Sequence, residues 1–299
     1  MRASFIKPSF LKNGVIAFAA AAAISLVVVA IGQGVWGVMA MINLKVSPAV
    51  PWAAPVMAVV LAGLLAYLGG RGWPASTSAT RRRLLRWNPM PWATFGLAVL
   101  AGVLGLIAFG GVWIAVSDLV HIPPGVQPPL GSMPLPTAIT LLIMGSLAAP
   151  LSEEAAFRGY AMGILEKAWG WAPAAIVGSS VLFAAVHFVQ GLDLIKLGLY
   201  FGAGLLFATV AWMTNSLYAV MAVHSLGDVL GFTVLWPHDQ AHHGMGFHDP
   251  WFAPALAAIA IFTPLAILAF RRLHAMGKDL RTAPIAAPAR ALGALPIAA

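Results

Sequence analysis

The sequence contains no cysteine, and few of its residues carry a charge. The absence of cysteine excludes disulfide bonds, thiol catalysis and thiolate metal sites. Only 9% of the 299 residues are charged and 61% are hydrophobic, whereas about a quarter of the residues of a typical soluble protein are charged. The mean hydropathy of +0.89 agrees with this imbalance. The composition therefore predicts an integral membrane protein.

Acidic residues are scarce as well, since 9 Asp and Glu stand against 17 Lys and Arg and give a formal net charge of +8. An excess of positive charge can indicate a nucleic-acid partner. Here, however, the basic residues flank apolar runs, as they do in the cytoplasmic loops of membrane proteins. We therefore expect the lipid bilayer as the environment of this chain and no nucleic-acid partner.

Eight apolar runs have about the length that a helix needs to cross a bilayer. They lie at about residues 14–42, 52–70, 92–117, 136–165, 172–190, 194–213, 217–235 and 251–270. The connection at 118–134 is rich in Pro and Gly and is not expected to be helical. The sequence thus predicts an all-α fold, a polytopic transmembrane bundle of about eight helices. No internal repeat is evident, which disfavours a transporter built from inverted repeats.

The basic residues are distributed unevenly over the predicted loops. If the N-terminus is cytoplasmic, 14 of the 17 fall in inner segments and only Lys45 and Lys196 in outer loops, while Arg158 lies within the fourth run. Inner loops of membrane proteins carry this kind of excess. The asymmetry predicts that both termini are cytoplasmic and that the carboxylates of the fourth run lie toward the inner side of the bilayer.

The predicted spans divide the chain into three parts. Residues 1–135 hold three N-terminal spans, and residues 136–235 hold a core of four spans. Residues 236–299 hold an outer loop, the last span and a basic, Ala/Pro-rich tail that is expected to be disordered. The outer loop contains His238, His242 and His243, among other polar residues. A metal ion could bind there, but a polar loop without a ligand is the more frequent case.

Six ionisable residues remain inside the predicted spans. Each costs roughly 2.5–3.5 kcal/mol at the centre of a membrane helix, so each is a functional candidate by default. The six are Glu153, Glu154, Arg158, His187, His224 and Asp228. In a helix, Glu154 and Arg158 stand at i,i+4 and can pair, while Glu153 points about 100° away and is free for other work. His224 and Asp228 have the same i,i+4 spacing.

Each of these groups alone has a structural explanation, but the six together suit the hydrolysis of a peptide bond. A carboxylate with a histidine can take a proton from water and return it to a leaving amine. A second histidine can polarise the carbonyl group. Alternatively, His187, His224 and Glu153 could bind Zn²⁺ and leave one position open for water. The sequence lacks H-E-x-x-H, the usual single-helix zinc signature, and also G-x-S-x-G, which disfavours serine catalysis.

Three motifs follow one another in the core. They are Glu153-Glu154-Ala155-Ala156-Phe157-Arg158, Phe183-Ala184-Ala185-Val186-His187 and His224-Ser225-Leu226-Gly227-Asp228. In this order they resemble the CPBP family of intramembrane proteases, which includes type II CAAX prenyl proteases and the bacteriocin-processing or immunity proteins of the Abi group. The resemblance covers about residues 136–235. It implies Glu153 and His187 as water-activating base and partner, and His224 and Asp228 as oxyanion support. It implies structural or positioning roles for Glu154, Arg158 and Phe183.

The resemblance implies an intramembrane endopeptidase that cuts peptides near the cytoplasmic side of the bilayer. The Ala-rich, cysteine-free sequence is typical of bacteria, so we expect an enzyme of the plasma (inner) membrane. Its expected substrates are secreted peptides or membrane proteins rather than prenylated CAAX chains. Two alternatives stay open: a proton-coupled transporter that uses the same carboxylates as a relay, and a non-catalytic immunity or scaffold protein of the same fold.

Overall fold

The computed structural model describes residues 8–122, 133–191, 193–242 and 244–282. Within these ranges the chain is helical and has no strand, so the all-α prediction is confirmed. Seven helical segments are long and apolar enough to cross a membrane, and the second predicted span is a shorter apolar helix of 16 residues, Ala53–Leu68. The seven are Asn13–Val46, Trp92–Leu119, Leu135–Trp169, Ala172–Gln190, Leu194–Thr214, Leu217–His242 and Phe252–Met276.

The α-helices are numbered here in chain order. They are α1 (Pro8–Val29), α2 (Val35–Val46), α3 (Ala53–Leu68), α4 (Ser78–Leu85), α5 (Trp92–Leu119), α6 (Leu135–Glu153), α7 (Met162–Trp169), α8 (Ala172–Val186), α9 (Leu194–Thr214), α10 (Leu217–Leu230), α11 (Trp236–His242), α12 (Phe252–Met276) and α13 (Lys278–Thr282). The longest helices, α5 and α12, pack against each other.

The span that carries the paired carboxylates is one continuous helical segment of 35 residues. It consists of α6, a π-helical segment Glu154–Ala161 and α7. All eight residues of the π-helical segment are buried, and the segment contacts α1, α4, α8 and α10. The fourth predicted span is therefore continuous, but its α-helical periodicity ends where Glu154 begins. Such π turns are frequent at functional sites.

The first span packs closely against the helix that ends in Glu153. A π-helical turn, Ala30–Gly34, joins α1 to α2. A Cβ atom on Gly32 would lie only 2.2 Å from Cβ of Ser152, which is the residue before Glu153. Only glycine allows this approach without a shift of one helix. On its own helix, Ser152 Oγ donates a hydrogen bond to Ala148 O at 2.7 Å.

The start of α10 is fixed by the loop that follows α4. Leu217 N donates to Arg86 O at 3.2 Å, and Ser216 Oγ donates to Asn88 O at 2.7 Å. In return, Asn88 Nδ2 donates to Asn215 O at 2.7 Å. Reciprocal bonds of this kind satisfy the free backbone groups at a helix terminus. They define where α10, with the second predicted catalytic histidine, enters the bundle.

The predicted outer loop at 236–250 is partly helical, so the prediction of a plain loop is wrong there. A π-helical turn, Gly231–Leu235, continues α10 directly into α11. Residues 246–248 form a 3₁₀ turn before α12. The apolar run that defined the seventh span ends at Leu235, but helical hydrogen bonding does not require apolar side chains, and the helix continues into the histidines.

The start of the basic tail is also helical, which corrects the expectation of disorder after Arg271. Helix α12 continues to Met276, and α13 covers Lys278–Thr282. Arg281 donates to His274 O at 3.0 Å, and its guanidinium lies 5.0 Å from the centre of the Trp212 ring. The predictions for residues 1–7, 123–132 and 283–299 lie outside the described residues, and the side of the membrane on which each terminus lies stays a prediction.

Candidate active site

The six predicted intramembrane residues lie on three neighbouring parts of the bundle. Glu153 ends α6, and Glu154 and Arg158 belong to the π-helical segment. His187 opens a 3₁₀ turn directly after α8. The last two, His224 and Asp228, lie on α10. All three parts meet at one cavity, and the following contacts join five of the six residues into one polar cluster.

Glu154 and Arg158 form the predicted ion pair. Arg158 Nη1 donates to Glu154 Oε1 at 2.9 Å, and both side chains are fully buried. Arg158 Nη2 also donates to Gly204 O on α9 at 3.1 Å. The guanidinium lies 4.3 Å from the centre of the Phe183 ring, which is a favourable cation–π distance. Phe183 thus connects Arg158 with α8, and the positioning role that the motif implied for it stays a prediction.

Glu154 has a second partner that the sequence did not predict. Its Oε1 lies 2.6 Å from Nδ1 of His224, a residue 70 positions later in the chain. An ionised carboxylate only accepts hydrogen bonds, so Nδ1 carries the proton and the imidazole is held in one orientation. The ring is also stacked on Phe207, with centroids 4.2 Å apart and planes at 22°. Glu154 therefore positions His224 in addition to neutralising Arg158.

The other nitrogen of His224 faces two carboxylates. Its Nε2 is 3.7 Å from Glu153 Oε2 and 3.5 Å from Asp228 Oδ1. Both distances exceed a normal hydrogen bond and are close enough for strong electrostatic interaction. Glu153 is 2% exposed, and neither of its carboxylate oxygens accepts a hydrogen bond from the described residues. Its carboxylate is thus the available one of the pair, as the helical spacing predicted.

His187 lies at the same cavity but makes no direct hydrogen bond to Glu153 within the described structure. Its Nδ1 lies 2.8 Å from Phe183 O. Because a carbonyl oxygen only accepts, Nδ1 carries the proton, and Nε2 of the neutral ring is a free acceptor. The ring stacks on Tyr200, with centroids 3.9 Å apart and planes at 25°. Glu153 and His187 therefore share the cavity without a direct contact, and His224 is the nearer histidine. The roles of Glu153 and His187 as base and partner stay a prediction.

Sequence reasoning missed two polar residues of the site, Tyr200 and Gln190. Tyr200, on α9, stacks on His187, and its hydroxyl donates to Gln190 Oε1 at 2.6 Å. Neither residue is an Asp, Glu, Arg or His, so the search for such residues inside the predicted spans, which revealed the other six, could not reveal them. The position of Tyr200 one helical turn after Lys196, in an otherwise apolar span, is the one signal that the sequence carries.

The cavity has a volume of about 110 Å³ and is largely apolar. Aromatic and aliphatic side chains form most of its wall, including Phe109, Trp113, Phe232 and Trp236. Six polar residues of the site also line it: Glu153, His187, Gln190, Tyr200, His224 and Asp228. An apolar cavity with a few convergent polar groups is the usual form of a small binding site.

The predicted zinc ligands do not form a preassembled metal site. Three ligands of one Zn²⁺ lie about 2.0–2.2 Å from the ion and hence close to one another. Among the described residues, the one group of three His, Asp or Glu ligand atoms within 4.8 Å of each other is elsewhere, at His238, His242 and Asp249. Glu153, His187 and His224 do not meet that distance. We therefore derive no catalytic step through a metal, and zinc at this site stays a prediction for metal analysis.

The fold and the site together define a polytopic membrane protein with a buried acid–base cluster at an internal cavity. The family model described as type II CAAX prenyl endopeptidase Rce1-like matches residues 135–230, about a third of the chain. This match covers α6 to α10 and all six ionisable residues, and it confirms the resemblance given by the three motifs. Residues 135–230 are thus similar to an Rce1-like domain, and that family implies intramembrane protease activity. Comparisons with curated proteins and with solved structures each found no match.

Proposed function

We propose that the protein is an intramembrane endopeptidase in which Glu153 activates a water molecule. One observation carries this proposal. The Glu153 carboxylate lines the cavity without a hydrogen-bond partner among the described residues, whereas Oε1 of its neighbour Glu154 contacts both Arg158 and His224. A buried carboxylate that makes no structural bond is costly to maintain, and a catalytic task explains its presence. The match of residues 135–230 to a protease family supports the same assignment.

In the proposed reaction, Glu153 takes a proton from water while the oxygen attacks the carbonyl carbon of the peptide bond. The free Nε2 of His187 accepts a hydrogen bond from the second hydrogen of the water molecule, and this bond orients the attacking oxygen. Glu153 then delivers the proton that it took to the amide nitrogen, and the C–N bond breaks. The products are a new carboxyl terminus and a new amino terminus, so one water molecule is consumed and all protons are accounted for.

His224 stabilises the oxyanion in the same reaction. Its Nδ1–H keeps the hydrogen bond to Glu154, and its Nε2–H donates a hydrogen bond to the developing negative oxygen. Asp228, at 3.5 Å from that nitrogen, balances the charge of the doubly protonated ring. Glu154 and Arg158 fix the ring before substrate arrives, so little reorganisation is required during the reaction. Glu154 therefore acts as a positioning residue in this mechanism.

The proposed substrates are secreted peptides or membrane proteins of a bacterium, cut within its plasma membrane. The largely apolar wall of the cavity suits a hydrophobic peptide segment that arrives from the bilayer. The chain shares its domain type with CAAX prenyl endopeptidases, but the composition of the sequence favours unprenylated substrates.

The proposal is tested by comparing wild-type protein with Glu153→Gln in membranes of the native host and in proteoliposomes. General-base catalysis contributes about 10²–10⁴-fold, so the variant should lose cleavage by a factor in that range. Peptides that accumulate only with the variant identify the substrates by mass spectrometry. Glu166→Gln is the matched control, because Glu166 lies on α7 of the same span and pairs with Arg86 away from the cavity. Undiminished cleavage by Glu153→Gln at equal protein levels would refute the assignment.

The two alternatives give different results in the same preparation. A transporter would carry solute into sealed proteoliposomes without any peptide being cut, and replacement of Glu153 would stop that flux. A non-catalytic immunity or scaffold protein would show neither cleavage nor flux, and Glu153→Gln would leave its protective effect unchanged. Cleavage that depends on Glu153 excludes both.

A further inference from the structure

A second cluster of ionisable residues lies outside the cavity, around the end of α11. His238 and His242 stand at i,i+4 on this helix, and their rings are stacked with centroids 5.0 Å apart and planes at 4°. Asp249 approaches them from the turn before α12, and its Oδ2 lies 2.8 Å from His242 Nδ1. One ligand atom from each of these three residues lies within 4.8 Å of the other two. None of the three lines the proposed active site.

His238 is held in an orientation that leaves one nitrogen free. Its Nε2 lies 2.8 Å from Oδ1 of Asp118, a fully buried carboxylate near the end of α5. Because the carboxylate only accepts, Nε2 carries the proton and Nδ1 carries the lone pair. That Nδ1 is buried, and no hydrogen-bond partner for it exists among the described residues. An unsatisfied buried acceptor costs about 1–3 kcal/mol, so an arrangement that maintains one requires an explanation.

Metal coordination explains this arrangement. A histidine that binds a metal through one nitrogen commonly donates its other N–H to a carboxylate, which fixes the ring and raises its basicity. Asp118 supplies that carboxylate to His238. Asp249 is fixed as well, since its Oδ1 accepts a hydrogen bond from Trp251 N at 2.6 Å. Two imidazoles and one carboxylate therefore lie around one point, and a bound metal ion would replace the hydrogen bond between His242 and Asp249.

We propose that His238, His242 and Asp249 bind a divalent transition-metal ion of the Zn²⁺ type, with Asp118 as the carboxylate that orients His238. Two nitrogen ligands and one oxygen ligand suit Zn²⁺, whereas Mg²⁺ and Ca²⁺ prefer oxygen ligands alone. Ligand atoms of a tetrahedral zinc site lie roughly 3.5 Å apart, so small side-chain rotations close the group around the ion. The fourth position is then open to water or to a further side chain.

The ion would have a structural role. It would connect the end of α5, which carries Asp118, with α11 and with the turn that precedes α12. Gly244 N already donates to Ser117 O at 2.9 Å, so this region is in contact with α5 without the ion. A metal adds a cross-link of much greater strength and stabilises the folded state by its binding free energy. The proposal is independent of the endopeptidase mechanism.

The test uses the full-length protein, purified in detergent without a polyhistidine tag and stripped with a chelator. Zn²⁺ alone is titrated and followed by calorimetry, bound metal is counted by mass spectrometry, and Co²⁺ is added separately to record its visible absorption. The variants are His242→Ala and Asp249→Asn. Neither should unfold the protein, because His242 is 30% exposed and Asn retains the oxygen that accepts from Trp251 N. His248→Ala is the matched control, since His248 is exposed in the same region and lies outside the group.

The wild-type protein should bind one Zn²⁺ here, give the intense absorption of tetrahedral Co²⁺ and gain thermal stability on metal addition. His242→Ala and Asp249→Asn should each weaken binding by at least about 10-fold and lose the Co²⁺ absorption. His248→Ala and Glu153→Gln should bind as the wild type does. The proposal is overturned if the wild type binds no Zn²⁺, if both variants bind normally, or if His248→Ala weakens binding equally. Loss of the same ion in Glu153→Gln would likewise overturn it, because the metal would then belong to the other site.

Discussion

At the scale of single residues, the two adjacent glutamates have different tasks because their surroundings differ. Glu154 shares one oxygen between Arg158 Nη1 and His224 Nδ1, at 2.9 and 2.6 Å. Glu153 has a longer contact of 3.7 Å to the same histidine and faces the cavity. The sequence predicted which glutamate pairs with Arg158, because i,i+4 spacing is a local property. It could not predict the bond to His224, because periodicity gives the face of a helix and not its neighbour.

This difference predicts opposite phenotypes for two neighbouring substitutions. Glu154→Gln leaves the fully buried Arg158 without its counter-ion, which should cost about 3–5 kcal/mol of unfolding free energy. Glu153→Gln removes no hydrogen bond to the described residues, so it should leave stability nearly unchanged, while cleavage falls by about 10²–10⁴-fold. Unfolding in mixed detergent micelles measures the stability of both variants.

A double variant shows whether Glu154→Gln loses stability because Arg158 is left as an unpaired buried charge or because the packing of the side chains changes. Glu154→Gln combined with Arg158→Gln removes both charges and should recover part of the lost stability, since no unpaired buried charge is left. Equal stability of Glu154→Gln and Glu153→Gln would contradict the assignment of Glu154 as the structural glutamate.

At the scale of helices, the position of Glu153 depends on a contact between the first and fourth spans. A Cβ atom on Gly32 would collide with Ser152, at 2.2 Å from its Cβ and 2.6 Å from its Oγ. Because Ser152 directly precedes Glu153, any displacement here reaches the carboxylate that we propose as the catalytic base. The apolar runs predicted where these spans lie, but not this contact, and hydropathy alone could not distinguish the π turns within them from ordinary α-helix.

Gly32→Ala should therefore reduce both stability and cleavage. Overpacking of a close contact costs typically about 1–3 kcal/mol, and the movement of Ser152 should lower the rate more than substrate binding. Gly37→Ala is the control on the same span, because nothing lies within 4 Å of a Cβ at that position. It should leave stability and activity unchanged. A normal rate in Gly32→Ala, measured with the substrate identified for the wild type, would show that the helix contact does not position Glu153.

At the scale of the whole molecule, the prediction of a helical membrane bundle is confirmed, and the matched domain coincides with four of its spans. Composition and run length were sufficient for this, because a bilayer accepts few solutions other than apolar helices. The ends of the helices were less predictable. Polar segments such as 236–242 and 271–282 continue apolar spans as helix and are held by specific contacts, for example Arg281 over Trp212.

The topology predicted from charge can be measured directly because the chain has no cysteine. A single cysteine in place of His248 should react with a membrane-impermeant maleimide in intact cells, since that region is predicted to be outside. A cysteine in place of Arg83, in the basic segment between the second and third spans, should react only after the membrane is opened. The unsubstituted protein gives the background for both. The reverse pattern would invert the predicted orientation, and with it the predicted cytoplasmic depth of Glu153.

The continuous segment Leu217–His242 joins the two polar centres of the molecule. It carries His224 of the proposed active site and, 14 residues later, His238 of the proposed metal site. One residue added to or removed from a helix rotates everything beyond it by about 100° and moves it by about 1.5 Å. An insertion between these histidines would therefore turn one centre away from its partners on the neighbouring helices. The number of residues between the two histidines therefore sets the relative orientation of the two centres.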